Sequence, residues 1–98
     1  MMLSEKQRKY LRTLGHQLKP VVMIGANGLT EAVMNEFEQS IEHHELMKIR
    51  VSAGDRDARD SIIADICTRS GAELVQRIGN IALLFRPRRR DSRIVFPK

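Results

Sequence analysis

Apolar residues recur at helical spacing near the start of this 98-residue chain. Ser4 and Gln7 match a capping box, so the pattern predicts that a helix begins here. One third of its circumference would carry Leu3, Gln7, Tyr10, Leu11, Leu14 and Leu18. The opposite side would carry Lys6, Arg8, Lys9, Arg12 and His16. The sequence therefore predicts a helix, limited by Gly15 and Pro20, with a core stripe and a cationic outer face.

A short apolar run, Val21–Ile24, follows this helix and contains no polar position. A run of this kind between a proline and a glycine predicts an inner strand that is covered on both faces. The next four residues, Gly25-Ala26-Asn27-Gly28, predict a tight loop. Thr30 is a good N-cap, so a second helix is expected to begin directly after the loop.

The rest of the chain predicts a strand, then a helix, and then two strands that form a hairpin. Residues 47–51 alternate between apolar and polar side chains, as in a half-exposed strand. A third helix should end at Gly71, and strands at 74–78 and 81–85 should flank the turn Gly79-Asn80. The order helix–strand–helix–strand–helix–strand–strand predicts one α/β (α+β) domain, with helices packed on a mixed four-stranded sheet.

Charge is distributed unevenly along the chain, whose formal net charge is +5. Residues 1–20 carry a net +4 and residues 86–98 a net +5, whereas residues 21–85 carry −4. This distribution predicts a positive surface built from the termini, suited to a polyanion such as nucleic acid. We expect a domain of residues 1–86, followed by a solvated, flexible and basic tail of residues 87–98.

The loop formed by Gly25, Ala26, Asn27 and Gly28 is the first candidate site. A plain turn is the alternative, because glycine and asparagine occupy tight turns in any fold. A nucleotide-binding Walker loop would need Lys-Ser/Thr after the second glycine, and a dinucleotide fingerprint would need a third glycine. The sequence has neither, but a loop that opens a capped helix presents its amides to an anion with the positive end of the helix dipole behind them. This context favours a backbone phosphate site.

Basic side chains outside the loop are further candidates for phosphate contacts. On the first helix only Glu5 accompanies four cations, whereas a helix tuned for solubility usually mixes both signs. A solvated surface is the alternative for this helix, and non-specific attraction to a polyanion is the alternative for the C-terminal arginines. The candidates are Lys6, Arg8, Lys9, Arg12, Lys19, Arg86, Arg88, Arg89 and Arg90.

The side chains do not predict an enzyme, a cofactor or a metal site. Neighbouring helical residues point about 100° apart, so His43 and His44 cannot readily share one ion. No Cys/His set has zinc spacing, and Cys67 is expected to be a small core side chain. Without an apolar run that could span a bilayer or act as a signal peptide, a cytoplasmic location is the simplest expectation.

Several segments, in this order, resemble the CRM domain (chloroplast RNA splicing and ribosome maturation). They are Leu18-Lys19-Pro20-Val21-Val22, Gly25-x-x-Gly28-Leu29-Thr30, His44-Glu45-Leu46-x-Lys48, Gly71-Ala72, Val75-Gln76-x-Ile78-Gly79 and Leu84-Phe85-Arg86. The match covers about residues 3–86. The length is similar to that of the stand-alone bacterial YhbY-type proteins, not to that of the multidomain plant splicing factors.

The resemblance implies a fold similar to the C-terminal domain of translation initiation factor three. It also implies an RNA-binding protein that associates with precursors of the large ribosomal subunit (pre-50S). In the family the Gly-x-x-Gly loop is compared with the loop of KH domains, but here Ala26-Asn27 lacks the Lys or Arg often found there. Phe85 stands where many members carry Tyr. We expect a monomer without a membrane or small-molecule partner, and an adaptor that docks on ribosomal or translation proteins through its basic face is the alternative.

Overall fold

The computed structural model of the chain describes residues 2–97. Within this range lie α1 (Glu5–Gly15), β1 (Pro20–Ile24), α2 (Glu31–His44), β2 (Leu46–Val51), α3 (Arg56–Ser70), β3 (Glu73–Ile78) and β4 (Ile81–Phe85). The strands form a sheet in the order β1-β2-β4-β3, in which β1 and β2 are parallel and β4 is antiparallel to both of its neighbours. The predicted α/β class, element order and mixed four-stranded sheet are confirmed.

The helix ends form where the local sequence signals predict them. The Ser4 side chain accepts the Gln7 N–H, and the Gln7 side chain accepts the Ser4 N–H, which completes the capping box of α1. The Thr30 hydroxyl accepts the N–H of Val33 and caps α2. Gly71 ends α3 with a left-handed φ of 76°, a conformation in which glycine carries no steric penalty.

Helices cover both faces of the sheet. On one face, α2 and α3 bury a core that includes Phe37, Ile41, Ile63 and Ile66. On the other face α1 covers a smaller core, formed by Leu3, Leu11, Leu46, Val75, Leu83 and Phe85. A Cβ added to Gly15 would lie 2.7 Å from Cδ2 of Leu83, so this glycine lets the last turn of α1 lie directly on β4.

Strand β1 differs from the covered inner strand that its apolar run predicts. It lies at the edge of the sheet, beside β2. Val22 and Ile24 are buried on the face that carries α2, but Val21 and Met23 are 42% and 57% exposed on the other face. Successive side chains point to opposite faces of a strand, and α1 packs over β2 and β3 and leaves this edge open. The prediction of an inner strand was wrong because an apolar run does not show which elements cover it.

The C-terminal segment lies against the domain in the structure, in contrast to the solvated tail expected from its arginines. The Phe96 ring makes edge-on contacts with the rings of Phe85 and Tyr10, with centroid distances of 5.8 Å in both pairs. Ile94 also packs against the core under α1. Apolar residues that follow the arginine run therefore account for the difference. The domain boundary at residue 86 and the flexibility of residues 87–98 stay predictions, and Lys98 lies outside the described residues.

A buried carboxylate provides a second attachment for this segment. Glu45, which ends α2, is 1% exposed and has a positive φ of 63°. Its carboxylate accepts the Ser92 hydroxyl over 2.7 Å and the Arg93 backbone N–H over 2.9 Å. A buried charge is costly unless it is hydrogen-bonded, so these donors stabilise the docked segment.

We expect Phe96→Ala to lower the free energy of unfolding by about 2 kcal/mol, because the variant loses an apolar contact and two ring–ring contacts. Guanidinium unfolding followed by circular dichroism measures this change. Val95→Ala is the matched control, since Val95 is 75% exposed, and it should stay within about 0.5 kcal/mol of the natural protein. Equal stabilities of the two variants would show that the segment is not docked in solution.

Candidate nucleic-acid interface

The loop of residues 25–28 lies on the surface between the end of β1 and the start of α2. The Gly28 N–H donates to the Gly25 carbonyl over 3.0 Å and closes the turn, so this amide is already used. Gly28 has a φ of 70°, and no atom lies within 4 Å of the position that a Cβ would take. In the part of the chain that the structure describes, the backbone amides of the exposed residues Ala26 and Asn27 donate to no acceptor. These two amides, beside the positive end of α2, can donate to a phosphate oxygen.

A row of side chains crosses the sheet beside this loop. Met23 of β1 is paired with Arg50 of β2, Arg50 with Ile81 of β4, and Ile81 with Ile78 of β3. Residues paired in this way point to the same face, which here is the face that carries α1. We call these four residues the open row, because Met23 and Ile78 are 57% and 68% exposed and Arg50 is exposed as well. The row lies at the end of the sheet from which the 25–28 loop leaves.

The last turn of α1 borders the open row. A shallow groove between the helix and the sheet is lined by His16, Lys48, Gln76, Ile78, Ile81 and Leu83. Lys9, Arg12 and Thr13 continue this lining along α1 on the side of β3. We call this region the α1 groove. It brings cations of the helix and of β2 to one surface with the open row.

The predicted cations of α1 do not all belong to this surface. Lys9 is exposed and Arg12 half-exposed, and neither forms an ion pair with another described residue. Lys6 is exposed but lies beside Phe96, near the C-terminal segment. Arg8 donates to the Leu74 carbonyl over 2.7 Å, so its guanidinium links α1 to β3 and does not point outward with the other cations.

Lys19, another predicted cation, does not lie beside the loop. It precedes β1, whereas Gly25 follows the same strand. The five residues of Pro20–Ile24 span about 16 Å at the usual rise of a strand. Neighbours in sequence are therefore separated to opposite ends of the sheet.

The C-terminal arginines lie at the end of the sheet opposite to the loop, since β4 begins in the open row and ends at Phe85. Arg86 donates to the Glu38 carboxylate over 2.8 Å and to the Ser70 carbonyl over 2.9 Å. Arg88 donates to the carbonyl oxygens of Glu42 and His43. These carbonyls are at the negative C-terminal ends of α2 and α3, which attract cations. Arg86 and Arg88 are thus half-buried and bound to acceptors of the protein itself.

Arg89 and Arg90 differ from these two arginines. Both are exposed, and neither forms an ion pair within residues 2–97. They line a cavity together with Glu42, Gly71 and the two held arginines. The structure does not bring this cavity to the 25–28 loop, so a contact of these arginines with a nucleic acid stays a prediction.

Sequence reasoning missed the residues of the sheet surface: Met23, Lys48, Arg50, Gln76, Ile78 and Ile81. The alternation in residues 47–51 gives a signal for Lys48 and Arg50, because it places both on one face of a half-exposed strand. The pattern does not show that the same face is open across β1, β4 and β3. That information comes from the strand order and register.

The described residues give little support for a reactive cysteine, a metal site or a membrane-spanning helix. Cys67 packs against the core under α2 and α3, as predicted, and burial raises the pKa of its thiol, which disfavours the reactive thiolate. Within residues 2–97, three or more His, Cys, Asp or Glu side chains do not gather into a possible metal site. None of the helices described combines the length and the apolar character that crossing a membrane requires.

Comparisons with known proteins identify relatives across nearly the whole chain. A model of the CRS1 / YhbY (CRM) domain matches residues 3–86. A Haemophilus influenzae protein named as an RNA-binding protein is 45% identical over 96 residues, which cover 98% of this chain and 96% of that protein. A Pseudomonas aeruginosa relative is 41% identical over 86 residues, or 88% of this chain and 83% of that protein. The solution structure of a Staphylococcus aureus protein matches with a TM-score of 0.83 and 30% identity, and covers 98% of this chain and 100% of that one.

Proposed function

Because this chain belongs to the CRS1 / YhbY (CRM) domain family, we propose that it is an RNA-binding protein. The loop amides of Ala26 and Asn27 donate to a phosphate, and Gly25 and Gly28 let the RNA backbone approach them closely. Cations of the α1 groove and Arg50 hold neighbouring phosphates. The name of the Haemophilus influenzae relative supports this function.

One observation carries the proposal: the loop amides without a protein acceptor lie beside the β1 end of the open row, and cations without an acidic partner among the described residues stand within this row or border it. Each described carboxylate that forms an ion pair is joined to Arg8, Arg69, Arg77, Arg86 or Arg88. Lys9, Arg12, Lys48 and Arg50 are therefore available to an external anion. Contacts to phosphates position an RNA without reading its sequence, so affinity should fall as salt rises.

We propose further that the RNA is ribosomal RNA within a precursor of the large ribosomal subunit, and that the protein acts as a cytoplasmic, non-enzymatic assembly factor. Support comes from the resemblance to the stand-alone bacterial YhbY-type proteins, which implies association with precursors of the large subunit. The chain matches the Haemophilus influenzae relative and the Staphylococcus aureus structure over nearly their whole length.

Ultraviolet crosslinking in cells, followed by sequencing of the RNA attached to the purified protein, tests both levels of this proposal. We expect crosslinks concentrated in the RNA of the large subunit and enriched in precursor particles. Crosslinks mainly to other RNA would refute the ribosomal role and leave RNA binding intact. RNA binding would be refuted if no more crosslinked RNA were recovered than from an untagged control. If the protein also stayed associated with ribosomal particles after RNase treatment, it would be a protein adaptor.

A further inference from the structure

We propose that the open row (Met23, Arg50, Ile81, Ile78) is a base-binding surface for single-stranded RNA. The inference rests on the proposed RNA-binding function and adds the kind of RNA and the groups that contact its bases. Phosphates are held at the 25–28 loop and the α1 groove, and unstacked bases lie on the sheet between them.

The apolar part of the row suits the flat faces of bases. Met23 and Ile78 expose more than half of their surface, and Ile81 lies between β2 and β3 with part of its surface accessible. The row crosses three strand spacings, a width of about 14 Å. Two large apolar side chains thus stand exposed at the two ends of one row across the sheet, with Arg50 and Ile81 between them.

The charges around the row favour a nucleic acid over an apolar partner. Arg50 stands within the row, exposed and without an ion pair among the described residues. The loop amides lie beyond the β1 end of the row, and Lys9 and Arg12 lie toward its β3 end. Asp60 of α3 forms an ion pair with Arg77 at 2.7 Å on the other face of the sheet. Apolar contacts between two groups of phosphate donors match the alternation of base and phosphate along one RNA strand.

A double helix does not fit this surface. Its bases are stacked and paired, so their faces cannot reach side chains that lie on a sheet. The row therefore selects single-stranded segments, such as loops or unpaired ends, by chemistry that a duplex cannot offer.

This inference is tested by fluorescence anisotropy with labelled RNAs of about 12 nucleotides. Three forms of RNA are compared: a single strand, a duplex, and a single strand of the same length with abasic positions. The natural protein should bind the single strand about tenfold more tightly than the duplex. Met23→Ala with Ile78→Ala should weaken binding of the intact strand about fivefold and change binding of the abasic strand less than twofold. The salt dependence should not change, because the double variant removes no phosphate contact.

Val95→Ala is the matched control, since it shortens an exposed apolar side chain outside the row. Its affinity should stay within about twofold of the natural protein. If the double variant, shown to be folded by circular dichroism, binds the intact strand as tightly as this control, or if the natural protein prefers the duplex, the base-binding row is refuted and RNA binding stands. A natural protein that binds none of the three RNA forms would refute the proposed function itself.

Discussion

Reversal of two charges on α1, Lys9→Glu with Arg12→Glu, is expected to weaken RNA binding about 50-fold at low salt. Both side chains border the α1 groove and lack an acidic partner within residues 2–97. Each cation removed should lower the slope of the logarithm of affinity against the logarithm of salt concentration by about one. The loss should be similar for RNAs of different sequence, because phosphates carry no sequence information. Titration of two unrelated single strands at several salt concentrations measures all three effects.

Arg89→Glu with Arg90→Glu is the matched control, because it changes the net charge by the same amount. These arginines are also exposed, but they line a cavity with Glu42 and Gly71 and do not line the α1 groove. Screening over about 10 Å at ordinary ionic strength should limit their effect on the interface to less than about fivefold. Equal losses in the two variants would mean that overall charge, and not the α1 groove, determines affinity. That result would contradict the interface described here.

Most of the fold could be predicted because its signals are local. Ser4, Thr30 and Gly71 each determine a helix end through atoms a few residues away, and the structure contains all three arrangements. The alternation in residues 47–51 and the turn Gly79-Asn80 likewise depend on neighbours in sequence. Hydrophobic periods of about 3.6 residues for helices and 2 residues for strands therefore predict the elements and their order.

The candidate site could not be predicted in the same way, because its surface depends on contacts between residues that are far apart in the sequence. The apolar run of β1 is equally compatible with an inner strand and an edge strand, and only the pairing of the strands decides that Met23 is exposed. Arg86 and Lys9 have the same formal charge, but one meets Glu38 and a helix carbonyl while the other meets solvent. Counting charges along the chain could predict a basic surface. It could not separate the cations that hold the fold from those that have no acidic partner among the described residues.

The loop itself is tested by Gly28→Asp, which we expect to weaken RNA binding about tenfold while the protein stays folded. Space is available for the side chain, since no atom lies within 4 Å of the added Cβ. The left-handed φ of 70° should cost about 1 kcal/mol of stability, less for aspartate than for most residues. A carboxylate at this position repels a phosphate bound by the neighbouring amides, and about 1.4 kcal/mol of repulsion corresponds to the expected tenfold loss.

Two further variants separate the effect of the added charge from the effects of backbone strain and of the position of the charge. Gly28→Asn has the same shape and the same strain without the charge, so its RNA affinity should lie within about threefold of the natural protein. Gly71→Asp adds the same charge at another left-handed glycine with open space around it, φ 76°, but at the opposite end of the sheet. We expect it to leave the affinity nearly unchanged, because a charge so far from the loop is screened. If Gly28→Asp and Gly71→Asp weaken binding equally, or if Gly28→Asn weakens it as much as Gly28→Asp, then the amides of Ala26 and Asn27 do not hold a phosphate.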